Sequence, residues 1–539
     1  MLREIPTDAT NESIQESAEV LAETGIDLEV AKQQVAERYG FLSWRQVDLH
    51  LNIAKEERLN FEHLACLNYV WWDHPSRREQ ANELLRDEPD LEHQSIYAAC
   101  TTGNAKLVEQ FLEDDAELLD RRGGYFDWEP LLYACYSRLN LADRSTSDVI
   151  QLLLDRGANP NAYYRWGGIY TFSALTGVFG EGERGPVNQP EHPDFRTLAT
   201  RLLDAGADPN DSQALYNRMF TPDNTALQIL LNYGLTKDHF CNWYATVDRR
   251  LVPNPEKTLD YQLQWAVKNN FTERVDLLLD HGADPKQKLK NSGRLTKIAR
   301  VQGFNEIADA LERHGGKPYK LKKFERFLNH CLNAEAENAR GMLEESPNLI
   351  KRATKHRPNA MNDAADLGNL DAIELMIELG FSLHGNSLDS PLHHAAHNGH
   401  LELVKMLIER GANLSGRDAF FFSTPLGWAQ AGSKVEVVEY LKQFELGLFD
   451  LIAIGDLARV EDYLDANPQS IEVPLRDTVD DDLKQLAYAW QTPLAYAALR
   501  DVTDMVKLLL KKGANANLRS DAGVPLRDLC RKEIQVLFD

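Results

Sequence analysis

The side chains best suited to chemistry form one dense histidine cluster, consisting of His393, His394, His397 and His400. His393 and His397 are four residues apart, and this spacing places two imidazoles on one face of a helix, where they could hold a metal ion. No cysteine or carboxylate lies at ligand spacing within the cluster. The cluster therefore leaves two interpretations, a metal site or a set of structural hydrogen bonds.

A second motif, at 180–185, has the G-x-G-x-x-G spacing of a phosphate-binding loop. A phosphate cradle needs a preceding strand and a following helix N-terminus. Here Pro186 follows, and two glutamates within the motif would repel phosphate, so we predict a flexible loop. The chain carries no G-x-S-x-G, H-E-x-x-H or Walker-type run. We therefore expect no enzyme and no cofactor.

Aromatic and arginine side chains concentrate in two neighbouring segments. Tyrosine, tryptophan and arginine dominate the energetics of protein interfaces, and clusters of them on exposed loops are unusual. We predict that this set binds a partner; the alternative is local packing, with Trp128 buried ahead of Glu129 and Pro130. The candidate partner-binding residues are Arg121, Arg122, Tyr125, Phe126, Tyr163, Tyr164, Arg165, Trp166 and Tyr170.

A third set is basic. Residues 286–357 hold 17 basic and 8 acidic residues in an otherwise acidic chain. Such a run of charge is ordinarily just a solvated face of the protein. If the basic residues instead bind a partner, an acidic protein segment or another anionic ligand is the natural candidate. The candidates for binding an anionic partner are Lys286, Lys288, Lys290, Lys320, Lys322, Lys323, Lys351, Arg352 and Lys355.

The overall composition narrows the class of protein. The chain has 539 residues and a net charge of −24, which argues against a nucleic-acid grip over the whole surface. Its six cysteines are isolated, so we expect neither a zinc site nor a disulfide framework, and we expect a reducing compartment. Without a signal-like N-terminus or an apolar run of about 18 residues, we predict a cytoplasmic protein with no membrane span.

A repeated helical unit must position these side chains. One copy opens with Ser-Pro-Leu at 390–392, where a hydroxyl can cap the helix and proline takes its first position. Two alanines at 395–396 let a second helix approach closely, and Gly411 ends that helix. The stop glycines recur with a regular period, since Gly282 and Gly315 are 33 residues apart.

The unit resembles the ankyrin-repeat family, whose repeat of about 33 residues opens with Thr-Pro-Leu-His-x-Ala. The resemblance covers roughly residues 94–539. It implies an all-α solenoid of about twelve helix-turn-helix units whose loops align as fingers and recognise proteins. The family pattern also places structural histidines at His393 and His400, which favours the structural interpretation of that cluster over a metal site.

Residues 1–93 are helical in spacing but lack the repeat pattern, and the run Tyr-Gly-Phe-Leu-Ser-Trp at 39–44 resembles a helical leader found ahead of some bacterial ankyrin arrays. The helices expected there cover 14–24, 28–39 and 43–54. We predict a leader at 1–60, a degenerate capping unit at 61–93, a first array at 94–316 and a second array at 317–539. Overlong gaps between stop glycines indicate insertions near 180–193 and 240–257. A capping half-repeat should end the second array, because an exposed solenoid end needs a cover.

These features predict a monomeric, intracellular scaffold for protein–protein interaction. Its partner would bind the finger loops and the concave surface, and the basic set suggests an acidic segment in that partner. One alternative is a binder of an anionic ligand or nucleic acid through the basic stripe at 286–357. Another is an effector or an enzyme with a site in the N-terminal region or in the insertions.

Overall fold

The chain forms two compact units in the computed structural model. Unit 1 comprises residues 1–296 and 306–317, and unit 2 comprises 297–305 and 318–539. Both units consist mainly of consecutive α-helices. The residues that the structure describes are 2–6, 9–52, 60–70, 73–290, 292–383, 389–419, 422–478, 490–530 and 532–538.

Unit 1 begins with a three-helix leader that has a core of its own. Thr10 and Asp27 cap its first two helices, because each side chain accepts hydrogen bonds from backbone N–H groups. The helices α1 to α3 lie at Asn11–Ala22, Leu28–Arg38 and Trp44–Asn52. Positions 53 and 54 of the third expected helix lie outside the described residues. The leader core contains Ile14, Ala18, Val35, Ala36, Phe41 and Val47.

The remaining helices of the first half form two packed rows. Their bounds, from α4 to α11, are Phe61–Ala65, Pro75–Asp87, Ile96–Thr102, Ala105–Asp114, Pro130–Tyr136, Thr146–Asp155, Ala174–Phe179 and Gly185–Asn188. Those from α12 to α18 are Phe195–Asp204, Ser212–Asn217, Thr225–Asn232, Thr258–Lys268, Thr272–Asp280, Leu295–Gln302 and Asn305–Arg313. Helices α6, α8, α10, α13 and α15 each pack on the next, and α7, α9, α12 and α14 form the second row.

Short antiparallel hairpins build three of the finger loops of unit 1. Tyr163 lies opposite Ser173, and Trp166 lies opposite Tyr170, in the hairpin between α9 and α10. The hairpin strands are β1 Tyr163–Trp166 with β2 Tyr170–Ser173, β3 Tyr244–Val247 with β4 Arg250–Pro253, and β5 Lys288–Leu289 with β6 Gly293–Arg294. The second hairpin falls within the insertion expected at 240–257, and α11 falls within the one expected at 180–193.

The leader packs against these fingers. The Leu251 amide of β4 donates to the Leu2 carbonyl at 3.2 Å. The Arg122 guanidinium, on the finger between α7 and α8, donates to the Leu42 carbonyl at 3.1 Å. Hydrogen bonds between segments so distant in sequence hold the leader to the repeat helices of unit 1.

Unit 2 repeats the helix pairs with little interruption. The bounds from α19 to α26 are Lys323–Leu332, Ala336–Glu345, Leu349–His356, Ala360–Asp366, Leu370–Leu379, Pro391–Asn398, Leu401–Glu409 and Pro425–Ala431. Those from α27 to α33 are Val435–Leu441, Leu448–Ala453, Leu457–Ala466, Pro493–Ala498, Thr503–Lys511, Leu526–Leu529 and Lys532–Gln535. Thr424 and Thr492 cap α26 and α30, each followed by proline at the first helical position. Helices α22, α24, α26, α28 and α30 each pack on the next.

The fold is completed by short segments of 3-10 helix and a largely aliphatic interior. These turns lie at Pro89–Gln94, Ala116–Leu119, Pro468–Glu472, Leu475–Thr478 and Val536–Phe538. All six cysteines are buried free thiols, which act as small apolar side chains. Within the described residues, every helix is too short or too polar to cross a membrane.

Candidate partner-binding site

The histidine cluster belongs to the scaffold of unit 2. His393 is 2% exposed, and its Nδ1 lies 2.9 Å from the Ser390 hydroxyl at the start of α24. Its Nε2 lies 3.1 Å from the Gly416 carbonyl and 3.2 Å from that of Ser423, and so ties the helix to the next finger. His400 Nε2 lies 2.9 Å from a backbone carbonyl of the preceding repeat. No set of three potential metal ligands occurs among the residues that the structure describes.

Two adjacent histidines of this cluster titrate in opposite senses. Burial lowers the pKa of His393 to about 4, so its ring is neutral near pH 7. His394 Nδ1 lies 2.7 Å from an Asp366 carboxylate oxygen, and its Nε2 lies 3.2 Å from one of Asp389. Although burial alone would lower it, these two carboxylates raise the pKa of His394 to about 9. His394 is therefore an imidazolium at pH 7.

We expect these two histidines to make opposite contributions to the stability of unit 2 as pH changes. The contribution of neutral His393 is lost as pH falls from 6.5, its ordinary pKa, through about 4. The contribution of protonated His394 to stability is complete below pH 6.5 and is lost as the pH rises through about 9. His394→Gln should thus cost roughly 1 to 3 kcal/mol at pH 6 and much less at pH 10. Urea unfolding of both proteins at each pH measures this difference.

A matched variant completes that experiment. His393→Gln should show the opposite trend, with its cost relative to the unsubstituted protein largest near pH 7 and smallest near pH 4. A difference between His394→Gln and the unsubstituted protein that stays constant from pH 6 to pH 10 would show that the carboxylates do not hold a proton on His394.

The candidate partner-binding residues between 121 and 170 are called the aromatic set. Part of this set lies inside the fingers of unit 1. Phe126 stacks on Trp128 with ring centroids 4.2 Å apart, and Trp128 stacks on Tyr164 at 4.5 Å. All three side chains are at most 9% exposed. The expected burial of Trp128 is confirmed, and Phe126 and Tyr164 hold their fingers together by local packing.

Other members of the set face the leader or their own finger. Arg45 of α3 lies 5.2 Å above the ring of Tyr125, which is half-buried. Arg121 is exposed and pairs with Asp115 and Glu117, each at 2.8 Å. Water screens exposed pairs of this kind, so they contribute little to stability and leave Arg121 accessible to a partner.

The first hairpin carries the remaining four residues of the aromatic set. Tyr170 is 39% exposed, and Tyr163, Arg165 and Trp166 are half-buried. The Arg165 guanidinium lies 5.5 Å from the ring centroid of Tyr163 and 4.5 Å from that of Tyr244 on the second hairpin. The two hairpins are therefore neighbours.

A cavity of about 770 Å³ lies beside the first hairpin within unit 1. Trp166 and Tyr170 line it from the first hairpin, Trp243 from the segment before β3, Tyr216 from α13 and Tyr261 from α15. We call these five rings the aromatic arc. The volume falls within the usual range for a ligand site, and apolar walls with a few polar groups are typical of such sites.

Sequence reasoning did not single out Tyr216, Trp243 or Tyr261. Tyr216 and Tyr261 lie on neighbouring first-row helices, so aromatic residues on the first helices of successive repeats were an available signal. Trp243 could not be identified from the sequence in this way, because only the fold brings the second hairpin beside the first.

The G-x-G-x-x-G segment is also part of the cavity wall, and residues 180–184 lie outside helices and strands, as expected of a loop. Glu181 and Gln189 are 8% and 3% exposed, and Gln189 Nε2 donates to an Asp73 carboxylate oxygen at 3.1 Å. Glu181 also pairs with buried Arg218 at 2.9 Å. Contacts with residues distant in sequence therefore hold Glu181 and Gln189 against the cavity wall.

The basic set is exposed, and its members divide between the two units. Lys286, Lys288 and Lys290 lie around β5 in unit 1. The other six lie in unit 2, either just before or at the start of α19, or on α21: Lys320, Lys322, Lys323, Lys351, Arg352 and Lys355. Helices α19 and α21 pack together, and Arg352 lies 5.9 Å from the ring centroid of Phe324. These six exposed residues therefore lie on neighbouring elements of unit 2, and we call them the basic surface.

Comparison with known proteins identifies repeats in unit 2. The family model described as ankyrin repeats (3 copies) matches residues 332–418 and 361–450, and the model described as ankyrin repeat matches 490–521. Among solved structures, the ankyrin repeat domain of human ASB11 aligns with 51% of this chain and 95% of its own length, at 17% identity and a TM-score of 0.23. No curated protein matches the chain.

Proposed function

Because this chain is an ankyrin-repeat protein, we propose that it is a monomeric cytoplasmic scaffold, of bacterial origin and without enzymatic activity, that captures a partner protein. Ankyrin repeats are in general protein–protein interaction modules. Stacked helices hold their loops in place before binding, so that little conformational entropy is lost when a partner docks. The two surfaces proposed for this role are the basic surface of unit 2 and the exposed members of the aromatic set in unit 1.

The basic surface is the observation that carries the proposal. Six exposed cationic side chains lie on two packed helices and the segment before them, in a chain whose net charge is −24. A concentrated charge of one sign attracts a complementary partner and accelerates its association. An acidic segment of a partner protein fits this surface.

Local ion pairs leave this surface available. Lys323 Nζ lies 2.7 Å from the Ser346 hydroxyl and 3.6 Å from a Glu345 carboxylate oxygen. Both carboxylate and ammonium are substantially exposed, so water screens the pair and its net stabilisation is small. Carboxylates of a partner can replace Glu345 at little cost.

We expect the double variant Lys322→Glu, Lys351→Glu to lose at least about tenfold in affinity for the partner, because two attractive contacts become repulsive. The measurement is affinity capture from native cells, followed by quantitative mass spectrometry of the recovered proteins. The matched control is Lys507→Glu, Lys511→Glu, which changes the net charge equally at exposed positions on α31.

The control variant should recover the same proteins as the unsubstituted chain. If the Lys322, Lys351 variant also recovers them in equal amounts, the basic surface is only a solvated face. A partner recovered through the basic surface should in addition bind less tightly as the salt concentration rises.

The aromatic set supplies the second proposed surface. Arg121, Tyr163 and Tyr170 offer accessible atoms to a partner, whereas Phe126 and Tyr164 stabilise the fingers that present them. Arg122 and Tyr125 are in contact with the leader, so any role in binding would be shared with the leader. Arginine and tyrosine on preordered loops are favoured at interface centres.

A further inference from the structure

We propose that the cavity of unit 1 binds an organic cation, the guanidinium or ammonium head of a basic side chain on a partner protein. The inference rests on the proposed scaffold function, since it takes the partner to be a protein. The cavity lies in unit 1 and would bind a cation, whereas the basic surface lies in unit 2 and would bind an anionic segment. The two proposals can therefore be tested separately.

The aromatic arc provides the apolar walls that such a cation needs. Trp243 is at its centre, with ring centroids 6.1 Å from Tyr170, 6.2 Å from Tyr216 and 5.6 Å from Tyr261. Trp166 extends the arc at 6.2 Å from Tyr170. Aromatic faces attract organic cations through their quadrupoles, and several rings around one cavity are the usual arrangement for recognising them.

Carboxylates lie beside these rings. The Tyr216 hydroxyl donates to a Glu183 carboxylate oxygen, and burial together with Glu183 raises the pKa of Tyr216. Burial, followed by the negative charge of Glu256 and with a contribution from Glu183, raises the pKa of Tyr261 to about 12. Two phenols on neighbouring helices therefore stand in a negative field, which favours a positively charged ligand.

The inner wall holds polar groups suited to the main chain of the same partner segment. Asn217 is 2% exposed, its oxygen accepts from Gln213 at 2.9 Å, and its amide nitrogen has no hydrogen-bond partner. The Tyr69 hydroxyl lies beside Asn217, again without a bond of ordinary geometry. Tyr69 also adopts a left-handed φ of 55°, a strained conformation that often marks a functional position. Each of these two groups could donate to a carbonyl oxygen of the partner.

One residue of the rim opposes a cation. Arg184 follows Glu183 directly in sequence, lines the same cavity and is exposed. The adjacent pair Glu183 and Arg184 therefore tests the sign of the ligand charge, because removing each charge should change affinity in opposite directions.

The experiment uses the full chain and N-acetyl-arginine amide as probe, with N-acetyl-citrulline amide as its uncharged counterpart of the same shape. Saturation-transfer NMR should show saturable binding of the arginine probe in the millimolar range and several-fold weaker binding of the citrulline probe. Glu183→Gln should weaken arginine binding about threefold, Arg184→Gln should strengthen it about threefold, and Tyr170→Leu should weaken it about threefold.

The same titration overturns the proposal if the two probes bind equally, if neither saturates, or if the effects of Glu183→Gln and Arg184→Gln are reversed, which would indicate an anion site. Free tetramethylammonium tests whether the cation is a small molecule or a side chain of a partner protein. If tetramethylammonium binds more tightly than the arginine probe, the cavity binds a free small molecule, and the proposal of a partner side chain is wrong. The variant Lys322→Glu, Lys351→Glu should bind the arginine probe normally. A negative result in this titration therefore does not affect the capture experiment on the basic surface. A negative result in the capture experiment likewise does not affect this titration.

Discussion

Replacing Arg218 with leucine should lower the free energy of unfolding of unit 1 by about 3 to 5 kcal/mol. The Arg218 side chain is 5% exposed and pairs with Glu181 at 2.9 Å, Glu191 at 2.8 Å and Asp223 at 2.7 Å. Its removal leaves the Glu181 carboxylate buried without its cation. An unpaired buried charge is costlier than the ion pair was favourable, so the loss exceeds that of an ordinary surface contact.

Urea unfolding of the full chain measures this effect, with Arg201→Leu as the control because Arg201 is exposed on α12. The control should change stability by about 0.5 kcal/mol or less. Adding Glu181→Gln to Arg218→Leu should restore part of the loss, since the buried carboxylate is then neutral. A loss below about 1 kcal/mol for Arg218→Leu would mean that water or rearrangement compensates the three carboxylates.

Replacing Gly168 with alanine should detach the leader from the first hairpin. Gly168 has a φ of 72°, and a Cβ there would lie 2.1 Å from the Tyr39 carbonyl oxygen, a contact that no real structure tolerates. The obstructing atom is backbone, so it cannot move aside by changing rotamer. We expect hydrogen exchange at the Leu251 amide, which donates to the Leu2 carbonyl, to accelerate by about tenfold or more.

Gly157→Ala separates this clash from backbone strain. Gly157 also has a positive φ, 88°, but a Cβ there meets no atom within 4 Å. Its substitution should therefore cost only about 1 kcal/mol of conformational energy and leave exchange in the leader unchanged. Equal exchange rates in the two variants would mean that the leader is held chiefly by contacts away from Gly168.

The regular parts of the fold were predictable because their causes are local. Hydroxyl caps followed by proline, as at Thr424 and Thr492, start the expected helices in unit 2. The leader helices follow their apolar spacing, and His393 makes the structural hydrogen bonds expected of its place in the repeat. The family models match ankyrin repeats at 332–450 and 490–521, and the mainly helical repeat fold is confirmed, while the predicted domain bounds and binding residues remain predictions.

The candidate site was only partly predictable, because it depends on which distant segments meet. Phe126 and Tyr164 have the composition of interface residues but fill the interior of their fingers. Trp243 was not distinguished by its neighbours in sequence, yet it lies at the centre of the aromatic arc. Buried Glu181 and Gln189 contact Arg218 and Asp73, which are far away in the chain.

The sequence by itself determined the repeating unit, since caps, helix-ending glycines and apolar spacing act within a few residues of one another. It also determined the positions of charge and aromatic content along the chain. Only the tertiary structure decided which of these side chains remain accessible, because the leader covers some fingers and neighbouring hairpins bury others. Accessibility is set by packing between distant segments, so no local pattern encodes it.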